Sequence, residues 1–161
     1  MLIMRLLHIL SSIWFISGLL GRWLAYAQAQ RASDVHTADA LLRLSDRFDR
    51  WMVVPGSQAV LAFGLLSAWL QGQPLLGTFG GAHSNWLLIS LLLFALPIPI
   101  VMGVLIPRRK VRMAALDTAL TLGTITPELR GALADKVVTR SRMVELLIVV
   151  VILVLMILKP F

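Results

Sequence analysis

Residues Leu2 to Ala27 form an apolar run long enough to cross a bilayer, and Arg5, His8 and Arg22 lie within it. A charged side chain in hydrocarbon costs roughly 2.5–3.5 kcal/mol on insertion scales, so such residues must face protein or water. Arg5, His8, Ser12, Phe15, Leu19, Arg22 and Tyr26 recur at alternating steps of three and four. On a helix this spacing makes one stripe, which is expected to face other protein. Leu6, Leu10, Ile13, Leu20 and Leu24 fall elsewhere and suit lipid.

Three more apolar runs follow, so the spans are about 2–27, 51–70, 86–107 and 143–158. Each approaches the ~20 residues that a membrane helix needs. The expectation is an all-α, four-transmembrane-helix bundle with amphipathic helical cytoplasmic loops, because only helices satisfy the backbone of so continuous an apolar run. The 161 residues are read as a single integral membrane domain, with 58% hydrophobic and 14% charged residues. The chain has no cysteine, which excludes disulfides, thiolate metal sites and a cysteine nucleophile.

The net charge of +7 is placed at span ends, which argues for membrane orientation and against a nucleic-acid partner. The loop 28–50 carries Arg31, Arg43, Arg47 and Arg50; the segment 108–142 carries Arg108, Arg109, Lys110, Arg112, Arg130, Lys136, Arg140 and Arg142. The loop 71–85 carries no Lys or Arg, and the two ends contribute Arg5 and Lys159. The positive-inside rule then puts both loops in the cytoplasm and both termini outside a bacterial inner membrane. A cleavable signal ending at Ala25-Tyr26-Ala27 is the rival reading. A retained helix is expected, because removing it would reverse the charge asymmetry of the remaining spans.

Within the first cytoplasmic loop, Thr37 is expected to cap a helix whose apolar side is Leu41, Leu44, Phe48 and Trp51. Asp39–Arg43 and Asp46–Arg50 are spaced for ion pairs, and the helix is expected to lie at the inner membrane surface. Gly64 and Ala68 form a small pair that permits close helix contact. Pro97 and Pro99 should kink span three, and Gly123 should end the helix that follows. Thr126-Pro127-Glu128 is a helix start with no stop signal before Leu158, so one long final helix is expected.

No hydrolase, kinase, nucleotide-binding or zinc-protease motif is present, and the reading leans away from an enzyme. His8 and His83 both belong toward the outer leaflet. Imidazoles on facing helices are the residue type that ligates haem b iron, with Arg5 placed to meet a propionate. His8 is thus the candidate metal ligand and cofactor residue; without a cofactor it should hydrogen-bond a carbonyl or side chain on another helix. At the inner end, Arg22 calls for a partner, with Glu145 first and Asp49 second.

Leu7-His8, Trp51 with Pro55 and Gln58, the Leu96-Pro97 break and Leu158-Lys159-Pro160 resemble a bacterial family of integral membrane proteins known only as a domain of unknown function. More distantly, His8, Trp14, Phe15 and Gly18 resemble the first helix of the four-helix HemJ protoporphyrinogen oxidases and CopD copper-resistance proteins. The HemJ type carries a lysine in a later span, which span three lacks here. Two readings result: a non-enzymatic accessory or assembly protein that packs against a membrane partner or a second copy, and a redox protein binding haem b or a quinone. A transporter is the weakest reading, since no internal repeat is seen.

Overall fold

The computed structural model describes residues 2–75, 77–80 and 85–159. Helix α1 is Leu2–Ala29. Helix α2 is Val35–Leu70 and helix α3 is Trp86–Leu122. Helix α4 is the short Pro127–Leu133, and α5 is Lys136–Leu158. A single 3-10 turn, Gly77–Gly80, lies between α2 and α3. No strand occurs among the described residues. Among the described residues, four helical stretches are long and apolar enough to cross a membrane, with α4 and α5 together forming the fourth.

Helix α2 joins the amphipathic loop segment to span two without a break. Its cap is Asp34 rather than Thr37: the Asp34 carboxylate accepts the Thr37 amide at 2.8 Å. Thr37 is the donor because it sits at the third helical position, where an orphan amide needs an acceptor. The buried face is Val35, Ala38, Leu42 and Ser45. That face packs into the core cluster with Tyr26 and Leu116. Of the expected stripe, Leu41 and Phe48 are half-buried against the bundle, while Leu44 and Trp51 are exposed. A π-turn at Asp49–Val53 carries the helix on. Asp39 does pair with Arg43, but Asp46 pairs with Arg109 of α3 at 2.8 Å, not with Arg50.

Helix α3 passes both prolines. Pro97 and Pro99 cannot donate to carbonyls one turn back, and the helix absorbs them with a turn at Leu96 and a π-turn at Val101–Leu105. It ends at Gly123, whose φ of 70° is the left-handed conformation that glycine adopts without penalty. Thr126 caps α4, accepting the Leu129 amide. The expected single final helix is broken after Leu133, because Asp135 caps a new start at Lys136 and also pairs with Arg108.

The best-buried core lies at the charged end of the bundle. Tyr26 and Ala29 of α1, Val35 and Leu42 of α2, Leu116 and Ala119 of α3, Leu129 and Leu133 of α4 and Val138 of α5 pack together there. Toward the other end, Ala68, Trp86 and Leu87 form a smaller cluster. Between them α1 and α2 approach closely at glycines: a Cβ on Gly18 would lie 2.6 Å from Met52 Cβ, and one on Gly56 3.0 Å from Phe15 Cα. On α1, Leu19, Arg22 and Tyr26 are buried while Leu6, Leu10, Ile13, Leu20 and Leu24 are exposed.

Candidate functional site

Two polar features lie on the α1 stripe, one at each end. Toward the N-terminal end is a cavity of about 540 Å³ between α1, α2, α3 and α5. His8, Phe15, Gly64, Trp86, Phe94 and Met156 are among its walls. Phe15 and Phe94 meet with ring centroids 6.2 Å apart. Arg5, Gln71 and Lys159 also border it. Arg5 is exposed, unlike the inner members of its stripe, and donates to the Gln71 side-chain oxygen. Gln71 in turn donates to the Ser67 carbonyl at 2.7 Å. The Lys159 ammonium stands 5.2 Å from the centre of the Trp86 ring.

His8 is half-buried, and its Nδ1 lies 3.1 Å from the Val60 carbonyl on α2. A carbonyl can only accept, so Nδ1 carries the proton of that bond and Nε2 holds the ring's lone pair in the neutral tautomer. The ring is seated against Gly64: a Cβ there would fall 2.9 Å from His8 Cε1. The small pair Gly64 and Ala68 therefore serves a side chain and a cavity wall. Metal-ligating histidines commonly donate their second nitrogen to a backbone carbonyl in this way, which fixes the ring orientation. The volume falls in the range of roughly 300–1,000 Å³ typical of ligand pockets. The donor set thus fits haem b, with one imidazole, an apolar chamber and two cations at one end. His83 lies outside the described residues. No group of three or more His, Asp or Glu side chains that could hold a metal ion occurs among the described residues.

At the charged end, Arg22 reaches both carboxylates. It donates to Asp49 at 2.8 Å and to Glu145. The Arg22 and Glu145 side chains are 8% and 7% exposed, against 29% for Asp49. Ser45 donates to the Arg22 carbonyl, tying α1 to α2 again. Beyond this network two further guanidiniums stack on Tyr26, Arg142 at 4.1 Å and Arg112 at 5.1 Å from the ring centroid. The Tyr26 hydroxyl donates to the Leu133 carbonyl at 3.2 Å.

Residues 2–160 match a family model described as a predicted integral membrane protein, DUF2269. The chain belongs to this family. It is a multi-pass integral membrane protein with four candidate spans. No curated protein and no solved structure matches it.

Sequence reasoning missed the Arg112–Tyr26–Arg142 stack and the cavity. Tyr26 closes the α1 stripe, and Arg142 stands three residues before Glu145, so one arginine was within reach of a spacing argument. Arg112 is one of the eight basic residues of 108–142 that the positive-inside rule accounts for by charge alone, and only the tertiary packing turns it inward.

Proposed function

We propose that this DUF2269 member binds haem b within the membrane, and that His8 would hold it through Nε2. The observation that carries the reading is the His8 Nδ1 contact with the Val60 carbonyl on a wall of the apolar cavity. It orients the ring and leaves the lone-pair nitrogen for a ligand. Haem would supply one-electron chemistry, and an apolar chamber raises or lowers its potential through the local dielectric. The chain's own residues do the rest. Gly64 gives the ring its seat, Phe15 and Phe94 help line the chamber, and Arg5 and Lys159 stand where carboxylate groups would be met by cations. Orientation belongs to the same proposal: the bacterial inner membrane, with both termini periplasmic, supported by the Lys and Arg asymmetry.

Titration of haemin into detergent-purified protein tests the proposal. Trp86 lines the cavity, so its fluorescence should quench as a Soret band sharpens at one equivalent. His8→Ala should lose the sharpened band, and Gly64→Leu should lose binding by filling the chamber. Haemin uptake indifferent to both substitutions would overturn the assignment.

A further inference from the structure

We propose that Arg112 and Arg142, stacked on Tyr26, form a binding site for a phosphate-bearing anion at the charged end of the bundle. The argument starts from charge. Both arginines are buried, with residue exposures of 4% and 6%. Neither forms an ion pair or hydrogen bond among the described residues, and Arg112 Nε, Arg142 Nε and Arg142 Nη1 are buried without a partner. The chain has eight carboxylates, and none is left for them. Asp49 and Glu145 are committed to Arg22, Asp39 to Arg43, Asp46 to Arg109 and Asp135 to Arg108. Asp34 caps α2, while Asp117 and Glu128 are exposed.

Three buried arginines therefore face two buried or half-buried carboxylates. A buried charge without a counterion is strongly unfavourable, and stacking on Tyr26 offsets only part of that. An anion from outside the chain completes the cluster. Guanidinium forks recognise phosphate oxygens in pairs, and Arg112 of α3 and Arg142 of α5 converge on Tyr26 of α1 to offer two of them. The depth suits a phosphate. Tyr26 lies ~36 Å along α1 from Leu2, past the ~30 Å hydrocarbon core and level with headgroups.

The anion has two possible sources, a phospholipid headgroup or free phosphate, and the test separates them. Purified protein is placed in dodecyl maltoside micelles alone, in the same micelles with phosphatidylglycerol, and in the same micelles with inorganic phosphate. Thermal unfolding is read in each, and native mass spectrometry counts retained lipid. A rise in unfolding temperature with phosphatidylglycerol, with that lipid retained, identifies a headgroup site; a rise with phosphate identifies a soluble ligand. Arg142→Met should weaken the response by roughly tenfold or more, the worth of a lost charge-assisted hydrogen bond. Without either anion, Arg142→Met should unfold no lower than the wild type, because it removes an uncompensated charge. Should that variant fail to fold, Arg112→Gln is read in its place, and the wild-type response stands alone. Absence of a response to both anions, or a loss of anion-free stability in a folded variant, would overturn the site.

Discussion

Replacing Glu145 by Gln removes one of the two anions held against Arg22. Two unit charges about 4 Å apart interact by roughly 4 kcal/mol at an effective dielectric of about 20. Breaking a buried pair by deleting one partner costs about 3–5 kcal/mol. Asp49 remains 2.8 Å from Arg22 and keeps part of the compensation, so the expected loss is at the lower limit, about 3 kcal/mol. Asp49→Asn should cost less, about 1 kcal/mol, because its carboxylate is 29% exposed and water screens it. For a chain of this size each kcal/mol shifts the midpoint by roughly 2–4 °C, which places Glu145→Gln about 6–12 °C below the wild type. The assay is thermal unfolding in one detergent for the Glu145→Gln, Asp49→Asn and Arg22→Gln single variants and for the Arg22→Gln/Glu145→Gln double variant, which is compared with the summed losses of Arg22→Gln and Glu145→Gln. The double variant should recover part of the sum of the two losses, since the single Arg22→Gln variant leaves two carboxylates without their cation. Losses that add within about 0.5 kcal/mol would show that the pair carries no coupling, and the charge argument would fail.

Gly18→Ala should destabilise by about 1–3 kcal/mol, because its Cβ falls 2.6 Å from Met52 Cβ, whereas Gly103→Ala meets nothing within 4 Å and should be neutral or stabilising by thermal unfolding. Single cysteines at Phe79 and Thr118 should label oppositely with an impermeant reagent in intact cells, Phe79 reacting and Thr118 protected; the reverse pattern would invert the orientation. Hydrogen bonds from Thr37 hold the Asp34 carboxyl below its ordinary 3.8. A lowered acid stabilises the fold above 3.8 and loses that contribution as pH falls through its folded value, so the stability gap between wild type and Asp34→Ala should close in acid while Asp34→Asn stays near the wild type at neutral pH.

The four spans and the all-helical architecture were legible because hydrocarbon leaves an apolar chain no other way to satisfy its backbone. The lipid-facing residues of α1 were legible for the same reason, since a helix with a polar stripe has only one side to turn outward. Local signals with a single physical cause also read correctly: Gly123 needed a positive φ, and Thr126 before Pro127 needed no tertiary help. Asp34 and Thr37 are both good caps three residues apart, and spacing alone does not rank them. The break at Asp135 escaped because no glycine or proline marks it; an aspartate that can cap is also an ordinary surface residue. The cavity is a property of four helices at once. Gly64 read as a helix contact, and what it contacts is the His8 ring. Arg112 and Arg142 read only as cytoplasmic charge, because the positive-inside rule accounts for basic residues beside a span without any tertiary contact. Their burial depends on α4 and the start of α5 folding back over Tyr26, with Gln30 of α1 and Tyr26 both donating to the Leu133 carbonyl.

The most direct measurement of the central claim is the absorption spectrum of protein purified in detergent from haem-replete cells, oxidised and then reduced, beside the same preparation of His8→Ala. The account predicts a Soret band with reduced α and β bands near one haem per chain, and a colourless His8→Ala variant that still folds. A colourless wild type that also fails to take up haemin, or a His8→Ala variant with an unchanged spectrum, would contradict it.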